Sequence, residues 1–213
     1  MDFHQQRKQM VEYLKREGRI YSKKVEGAFL NIPREYFIPE ELKTEAYIDT
    51  PLSIGYGQTI SAPHMVAIMV EALDLKPGQR VLEIGSGSGY HAAIVAYLVA
   101  PNGHVFSVER LSELAEFAKR NLEKAGIDNV TVETGDGSQG LEKYAPYDRI
   151  YVTCAAPDIP IPLIEQLKDP GKLLIPVGRI YSDLYLVEKK KNKIYKKNLG
   201  GCAFVPMIGK HGY

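Results

Sequence analysis

Short apolar runs alternate with amphipathic helical patterns through the middle of the chain. The run RVLEI, residues 80–84, stops at the glycines of GSGSG, and the helical pattern YHAAIVAYLV follows it. HVFSVER and LSELAEFAKRNLEKAG repeat this order of strand and helix, with Ser112 as the predicted N-cap and Gly126 as the predicted end of the helix. Strands that alternate with helices in this way predict an α/β fold with a doubly wound, mostly parallel sheet.

The pattern continues towards the C-terminus and then changes. NVTVETGDG and YDRIYVTCAA predict two more strands, and IPIPLIEQLKDPG followed by KLLIPVG predicts a helix and a strand. Beyond them, DLYLVEKKKNKIYKKN predicts a hairpin and CAFVPMI a last strand. We therefore expect the hairpin to add an antiparallel element to the parallel sheet.

The N-terminal part of the chain lacks the alternation of a strand. Met10 and Leu14 lie at helical spacing among charged residues and predict an amphipathic helix that ends near Gly18; a short helix and a proline-containing loop follow. PHMVAIMVEALDL, residues 63–75, predicts another helix, with proline in its first turn. The polar stretch GQTISAPH, residues 57–64, is therefore predicted to be a loop that leads into this helix.

Composition and charge place the chain among ordinary globular proteins. Of its 213 residues, 45% are hydrophobic and 25% are charged, and the formal net charge is +1, so no overall field favours nucleic acid or an anionic membrane. No apolar run approaches the ~20 residues that cross a bilayer, and the first residues lack the apolar core of a signal peptide. Cys154 and Cys202 belong to no ligand motif, so neither a disulfide nor a metal site is predicted. We expect a cytoplasmic protein without a nucleic-acid or membrane partner.

The glycine turn after residue 84 limits the kind of ligand. A dinucleotide fingerprint has glycine at its first, third and sixth positions; Gly85 and Gly87 match, but Tyr90 occupies the sixth. A phosphate-binding loop would need a lysine after the glycines, and GYHA offers none. The turn therefore argues against a nucleoside triphosphate, and it weakens the case for NAD without eliminating it.

Acidic residues mark the ends of three successive predicted strands. Glu83 precedes the glycine turn, where a carboxylate favours a cationic ligand. Glu109 ends the second strand, where it can accept hydrogen bonds from both ribose hydroxyls, and Asp136 of GDG ends the third, where it can accept from an adenine amino group. Each also has an ordinary explanation: Glu109 as a charge at a helix start and GDG as a simple turn. Together the three fit one nucleoside-shaped site at the carboxyl edge of the sheet.

Five segments of the chain carry a resemblance to a known family. YIDTPLSIGYGQTISAPHMVA, VLEIGSGSGY, YDRIYVTCAAP, LKDPGKLLIPVG and FVPMIG occur in this order between residues 32 and 209. The glycine turn resembles that of class I S-adenosylmethionine-dependent methyltransferases, and the whole set resembles the protein-L-isoaspartate (D-aspartate) O-methyltransferases. The resemblance implies a Rossmann-like enzyme that transfers a methyl group from S-adenosyl-L-methionine to the α-carboxylate of L-isoaspartyl and D-aspartyl residues in damaged proteins. S-adenosyl-L-homocysteine would be the second product, and the methyl ester would start repair through a succinimide.

The resemblance also implies roles for particular residues. It implies that Ser61 and Thr59 are catalytic residues. It also implies that the segment FVPM near the C-terminus covers the site. The implied cofactor-binding residues are Ile60, Ser61, His64, Glu83, Gly85, Ser86, Gly87, Gly89, Glu109, Arg110, Asp136 and Gly137. From the local sequence alone, Thr59 and Ser61 could equally cap the following helix, and His64 could be a helix residue without a ligand. The implied partners are peptides and proteins that contain isoaspartate, and we expect the enzyme to act as a monomer.

These predictions combine into a single methyltransferase domain over residues 1–213. Residues 1–62 are predicted to form an N-terminal helical and active-site loop segment, residues 63–180 the cofactor-binding core, and residues 181–213 the C-terminal strands. The residues alone are also compatible with three other functions: a class I methyltransferase that acts on a small molecule or RNA, a non-catalytic cofactor-binding protein, and an NAD-dependent oxidoreductase. The loop QTISAP favours the isoaspartyl enzyme over the first of these, and Tyr90 disfavours the last.

Overall fold

Helices and strands alternate along the chain much as the apolar pattern predicts. The computed structural model describes residues 2–179 and 181–213. Its α-helices are α1 Phe3–Arg16, α2 Lys23–Asn31, α3 Pro63–Leu73, α4 Tyr90–Val99, α5 Ser112–Lys124 and α6 Ile161–Glu165. Its strands are β1 Leu52–Gly55, β2 Gln58–Ile60, β3 Arg80–Ile84, β4 His104–Glu109, β5 Val130–Thr134, β6 Tyr147–Val152, β7 Leu167–Gly178, β8 Ser182–Lys190 and β9 Lys193–Cys202. Short 3-10 helices cover Arg34–Tyr36, Glu40–Glu45, Gly137–Gln139 and Glu142–Tyr144.

The strands from β3 onwards form one sheet, in the order β5-β4-β3-β6-β7-β8-β9. Neighbouring strands from β5 to β7 run parallel, whereas β7, β8 and β9 run antiparallel. The predicted α/β class, the doubly wound parallel sheet and the antiparallel C-terminal hairpin are therefore confirmed. The chain leaves β3 for β4 on one side and later returns to β6 on the other. The carboxyl end of β3 is thus a switch point, where open α/β sheets bind their ligands.

The stretch predicted as a loop before α3 is partly a hairpin. β1 and β2 form a two-stranded antiparallel sheet in which Leu52 pairs with Ile60. Tyr56 and Gly57 at its tip both have positive φ, 54° and 70°. Each strand is too short for its alternation to stand out in the sequence, which is why the prediction was wrong. The pairing holds Thr59 in an extended backbone directly before the loop that enters α3.

Two local predictions are also wrong. Ser112 is the first residue of α5 instead of its N-cap; Leu111 holds that place, and the Ser112 hydroxyl bonds the neighbouring carboxylate at 2.9 Å. The last predicted strand is not regular, because β9 ends at Cys202, and among the described residues after it only Pro206 makes an isolated bridge, to Ala155. Proline lacks the N–H that a continuous ladder needs, so this segment cannot pair along its length.

One hydrophobic cluster joins the N-terminal helices to the sheet. It includes Met10 of α1, Phe29 of α2, Val66 of α3 and Ile94 of α4, and it reaches Tyr151 on β6. All five side chains are nearly or fully buried. The N-terminal helices therefore share their core with one face of the sheet.

A second hydrophobic cluster covers the other face of the sheet. Leu82 and Ile84 of β3 and Ile150 of β6 meet Leu163 of α6 and Met207 near the C-terminus. Met207 is 2% exposed, so the C-terminal segment is packed against the sheet at the edge where β3 ends. None of the helices in residues 2–179 and 181–213 combines the length and apolar character needed to cross a membrane.

Candidate functional site

A cavity opens at the carboxyl edge of the sheet, where β3, β4 and β6 end. It encloses about 840 Å³, including the part open to solvent. Its walls come from segments that are distant in the sequence: residues 58–61, 84–88, 108–110, 137–138, 153–154 and 205–208, with Val66, Tyr90 and His91. The fold therefore gathers at one place the polar stretches that the sequence spreads over 150 residues, from Gln58 to Ile208.

Most of the predicted site residues share this cavity. Its lining includes Thr59, Ile60, Ser61, Gly85, Ser86, Gly87, Glu109, Arg110 and Gly137. The predicted cover is also present, since residues 205–207 of the FVPM segment line the same cavity. The structure thus brings the two hydroxyls predicted to be catalytic together with the glycine turn.

Four predicted cofactor-binding residues do not line the cavity: His64, Glu83, Gly89 and Asp136. Gly89 is the N-cap of α4, with a φ of 86°. A Cβ at this position would lie 3.3 Å from Ala118 of α5. The absence of a side chain at Gly89 therefore serves the turn into α4 and its close approach to α5.

His64 faces an acidic residue that the sequence did not point to. Asp49 Oδ1 accepts a hydrogen bond from the His64 backbone N–H at 2.8 Å and lies 2.9 Å from His64 Nδ1. This carboxylate therefore caps the first turn of α3, where an anion is favourable. Asp49 holds the Nδ1 side of the ring and the backbone of His64, and the predicted contact of this residue with the cofactor stays a prediction.

Asp136 is engaged by the C-terminal segment. Its Oδ1 accepts from the Ser138 backbone at 3.0 Å and from the Ser138 hydroxyl, and its Oδ2 accepts from the Lys210 backbone N–H at 2.8 Å. The His211 N–H donates in turn to the Ser138 hydroxyl at 3.0 Å. Asp136 thus fastens the end of the chain beside the cavity, and its neighbours Gly137 and Ser138 form the lining in its place.

Glu83 is fully buried beneath the glycine turn. Its carboxylate accepts a hydrogen bond from the Tyr151 hydroxyl at 2.8 Å and another from the Ser107 hydroxyl. The Ser107 hydroxyl is also hydrogen-bonded to the Ser86 hydroxyl. Burial raises the pKa of Glu83 to about 8, because the loss of water outweighs the hydrogen bonds from Ser107 and Tyr151. The predicted role of Glu83 as a direct cofactor ligand is corrected: it acts on the turn through Ser107 and Ser86.

The raised pKa of Glu83 predicts a loss of stability at alkaline pH. The folded protein binds this proton more tightly than the unfolded chain, so the stability from this group is full below about pH 4 and is lost as the pH rises towards about 8. Relative to Glu83→Gln, the free energy of unfolding of the wild type should fall by about 1 to 3 kcal/mol between about pH 5 and about pH 9. Denaturant titrations at several pH values would measure it. The exposed Glu123→Gln is the control, and parallel pH profiles for wild type and Glu83→Gln would contradict the prediction.

The glycine turn is held from two sides. Gly85 has a φ of 95°, and a Cβ on it would lie 2.3 Å from Thr153 Oγ1. The same hydroxyl donates to the carbonyls of Ile84 at 3.0 Å and Gly85 at 2.7 Å. On the other side, Glu109 accepts a hydrogen bond from the Gly87 backbone N–H at 3.0 Å. The turn is therefore fixed between the ends of β4 and β6.

Ser61 lies between the hairpin and α3 and does not cap the helix. The N-cap of α3 is Ala62, with no side-chain hydrogen bond, so the capping explanation for Thr59 and Ser61 is wrong. The Ser61 carbonyl instead accepts a hydrogen bond from Arg34 Nη2 at 2.9 Å. Arg34 is fully buried, also donates to the Ala46 carbonyl at 2.9 Å, and lies 4.8 Å from the centre of the Tyr90 ring. The Ser61 hydroxyl is thus left available to a ligand while its backbone is held from behind.

Several residues of the site had no signal in the sequence, or a weak one. Arg34 follows a proline in a loop, and nothing local distinguishes it from a surface arginine. Tyr90 and His91 directly follow the glycine turn, which was their only signal; both line the cavity, and the Tyr90 hydroxyl and both His91 ring nitrogens are buried without a hydrogen-bond partner among the described residues. Cys154 also lines the cavity, and burial raises its thiol pKa to about 12, so it stays protonated.

Comparison with known proteins gives a consistent result over nearly the whole chain. The model of the family protein-L-isoaspartate(D-aspartate) O-methyltransferase (PCMT) matches residues 5–212. A protein-L-isoaspartate O-methyltransferase of Hyperthermus butylicus is 57% identical, over 99% of this chain and 92% of that protein. That of Methanopyrus kandleri is 56% identical, over 99% of this chain and 95% of the relative.

Solved structures agree with these relatives. A protein-L-isoaspartate O-methyltransferase superposes with a TM-score of 0.89 at 34% identity, over 97% of this chain and 67% of the other. A Plasmodium falciparum protein described as a beta-aspartate methyltransferase (PCMT), solved in complex with S-adenosyl-L-homocysteine, gives a TM-score of 0.86 at 33% identity, over 98% of this chain and 99% of the other. The resemblance seen in the sequence is confirmed. This chain therefore belongs to the protein-L-isoaspartate(D-aspartate) O-methyltransferase family, and it is an S-adenosylmethionine-dependent enzyme that methylates L-isoaspartyl residues of proteins.

Proposed function

We propose that Ser61 and Thr59 orient the α-carboxylate of an isoaspartyl residue at the cavity for methylation. The substrates are L-isoaspartyl and D-aspartyl residues of damaged proteins, and the methyl ester then closes to a succinimide without further help from the enzyme. The observation that carries this proposal is the shared cavity: residues 58–61 and the glycine turn 85–87 line the same space. A substrate carboxylate held by residues 58–61 would lie next to a cofactor held by the glycine turn.

The cavity fits a nucleoside linked to an amino acid. Gly85 and Gly137 line it with backbone that carries no side chain, which allows a ligand to approach closely. We propose direct cofactor contacts for Ile60, Ser61, Gly85, Ser86, Gly87, Glu109, Arg110 and Gly137, with Glu109 at the ribose and Gly137 near the adenine. When bound, S-adenosylmethionine supplies an electrophilic methyl group on a sulfonium.

The methyl transfer does not require the protein to act as a general base towards the substrate carboxylate. A carboxylate with an ordinary pKa near ~4 is ionised at neutral pH, so the nucleophile needs no general base. The remaining tasks are to position the carboxylate oxygen and to keep water out. Ser61 supplies a hydrogen-bond donor, and the apolar side chains of Val205, Met207 and Ile208 supply part of a dry wall. The protonated Cys154 thiol takes no part as a nucleophile.

Ser61→Ala should slow methylation while cofactor binding is retained. Loss of one hydrogen bond to a charged group costs about 1 to 3 kcal/mol, which corresponds to roughly a fivefold to 150-fold lower kcat/KM for an isoaspartyl peptide. The measurement is a methyl-transfer assay together with calorimetric binding of S-adenosyl-L-homocysteine. Ser112→Ala at the start of α5 is the control and should leave both unchanged. Complete loss of turnover with normal cofactor affinity would overturn the orienting role and indicate a direct chemical one.

The substrate assignment is tested by a pair of peptides. The purified protein is incubated with methyl-labelled S-adenosylmethionine and two short peptides that differ only in an isoaspartyl or a normal aspartyl linkage. Base-labile label in the isoaspartyl peptide alone is the expected result, and a third peptide with D-aspartate tests that part of the proposal. Label in neither peptide, with the cofactor still bound, would contradict the proposal and favour a small molecule or RNA as the acceptor.

We also infer one domain, a monomer and a cytoplasmic location. Support for a single domain is the hydrophobic cluster that runs without interruption from α1 to β8, across the predicted boundaries at residues 62 and 180. A formal charge of +1 favours neither a nucleic acid nor an anionic membrane as partner. Light scattering tests the monomer, and a concentration-independent dimer would refute it.

A further inference from the structure

Strand β9 is an open edge of the large sheet. It is the last strand in the sheet order and pairs with β8, so one side of its backbone has no neighbour among the described strands. Its residues from Lys193 to Asn198 are all exposed. An open strand edge is a template for pairing with another polypeptide, which makes β9 a candidate docking surface.

The turn between β8 and β9 fixes which backbone groups face outwards. Lys191 and Asn192 have φ of 53° and 58°, as in a two-residue hairpin turn. The flanking pair Lys190 and Lys193 then exchanges hydrogen bonds, and so does every second pair after it. The residues that direct N–H and C=O away from β8 are therefore Ile194, Lys196 and Asn198. Their backbone groups have no partner in another described segment.

The same strand and its turn carry an excess of positive charge. Five exposed lysines form no ion pair among the described residues: Lys190, Lys191, Lys193, Lys196 and Lys197. They contribute +5 to a formal net charge of +1, so the rest of the chain is net −4. Two neighbouring carboxylates are already engaged, Glu188 by Lys172 at 3.6 Å and Asp169 by backbone N–H groups of the turn. The cluster therefore favours an anionic partner.

Lysines lie on both faces of β9. Lys197 pairs with Leu186, which packs on the first hydrophobic cluster, and Lys196 pairs with Val187 of the second. A strand added at this edge alternates its own side chains between the same two faces, so acidic residues on either face would meet a lysine. A second copy of β9 would bring its lysines against these and be repelled. A nucleic acid would use the lysines but not the outward N–H and C=O groups, so the surface fits an extended, acidic polypeptide.

We propose that β9 binds an extended, acidic segment of the protein substrate as an additional strand of the sheet. The inference rests on the proposed function, because it takes the partner to be the protein that carries the isoaspartyl residue. β9 runs parallel to β7, so its last residue, Cys202, lies at the carboxyl edge of the sheet, and residues 205–208 line the cavity. Lys196 lies about 20 Å from Cys202 along the strand. A flexible chain of about 15 residues spans this distance, so the acidic segment can lie on β9 while the isoaspartyl residue is in the cavity.

The first test measures binding to β9 alone. A labelled peptide of glutamate, threonine and valine, without aspartate or isoaspartate, is titrated with the full-length protein at low salt and followed by fluorescence anisotropy. Lys196→Pro removes an outward N–H and should weaken the peptide at least about tenfold, whereas Lys196→Gln keeps this N–H and should weaken it only about two- to threefold. N-methylation of alternate peptide residues should weaken binding to the wild type as Lys196→Pro does.

A matched set of lysines separates the cluster on β9 from the general surface charge. Lys193→Gln, Lys196→Gln and Lys197→Gln together should weaken the acidic peptide at least about tenfold. The control removes the same number of charges from exposed lysines elsewhere and should change the affinity less than about twofold; it combines Lys8→Gln, Lys23→Gln and Lys76→Gln.

The second test measures methylation of an isoaspartyl peptide joined by about 15 glycine and serine residues to the same acidic stretch or to a neutral one. The acidic version should have an at least about fivefold lower KM at unchanged kcat, because the second contact raises its effective concentration at the cavity. Lys196→Pro should remove this difference and leave the KM of a short isoaspartyl peptide unchanged.

Equal affinity of wild type and Lys196→Pro for the acidic peptide, or equal KM for the acidic and neutral tails, would overturn the inference. A single-stranded RNA that bound as tightly as the peptide and was insensitive to Lys196→Pro would also overturn it, since the lysines would then be a general anion surface. Binding of the acidic peptide without methylation of any isoaspartyl peptide would contradict the proposed function alone. If Lys196→Pro fails to fold, the N-methylated peptides and the triple lysine variant decide in its place.

Discussion

Gly85→Ala is expected to lower the free energy of unfolding by about 3 to 5 kcal/mol and to weaken S-adenosyl-L-homocysteine at least about tenfold. Two costs add. The φ of 95° is unfavourable for any residue with a side chain, and the new Cβ would lie 2.3 Å from Thr153 Oγ1. Relief of this clash moves either β6 or the turn, and the turn carries Ser86 and Gly87 into the cavity. Denaturant unfolding and calorimetric titration measure the two effects.

The control for Gly85→Ala separates backbone strain from the clash. Gly126 after α5 has a φ of 70°, and a Cβ there meets nothing within 4 Å, so Gly126→Ala should cost only about 1 to 2 kcal/mol. Thr153→Ala combined with Gly85→Ala removes the atom that the new methyl group meets and should recover part of the lost cofactor affinity. A Gly85→Ala variant no less stable than Gly126→Ala would show that the turn adapts freely, contrary to the prediction.

Arg34→Met should destabilise the protein by about 3 to 4 kcal/mol and lower kcat/KM for an isoaspartyl peptide by about tenfold. The substitution leaves the carbonyls of Ala46 and Ser61 buried without a donor. Burial lowers the pKa of Arg34 to about 10, so the guanidinium is still charged at neutral pH. Because it fixes the Ser61 backbone without facing the substrate, Arg34 is a positioning residue. Its loss should raise KM and lower kcat without weakening methylthioadenosine.

A second arginine provides a matched control for Arg34. Arg149 Nε donates to the Leu73 carbonyl at 2.7 Å, so it secures the far end of α3 as Arg34 secures the near end. Arg149→Met should lower stability but leave KM and kcat of the folded enzyme unchanged. Arg34→Lys keeps the charge but lacks the planar fork that spans two carbonyls, so it should lie between wild type and Arg34→Met. Equal kinetic effects at Arg34 and Arg149, measured at a temperature where both variants are folded, would refute the positioning role.

The elements that the sequence predicted well are those set by local physics. The bounds of β3 and α4 follow from an apolar run, glycines and a helical repeat that lie within twenty residues. The hairpin Leu52–Ile60 escaped prediction because its strands are stabilised by pairing with each other and not by a pattern within either one. The segment after Cys202 was predicted as a strand because its apolar residues fit one, but they are buried by packing at the edge of the sheet.

The sequence by itself determined the fold class, the glycine turn and most of the cavity lining. The first two depend on backbone freedom at glycine and on apolar periodicity, whereas the lining residues Thr59, Ile60 and Ser61 were implied by the resemblance to the family. Only the tertiary structure showed the hydrogen-bond partners of Glu83, Asp136 and His64. It assigned Glu83 to Ser107 and Tyr151, Asp136 to Lys210, and His64 to Asp49. The burial of Arg34 and the free nitrogens of His91 also come from the packing of distant segments. Burial and pairing depend on neighbours that are far away in the chain, and no local pattern records them.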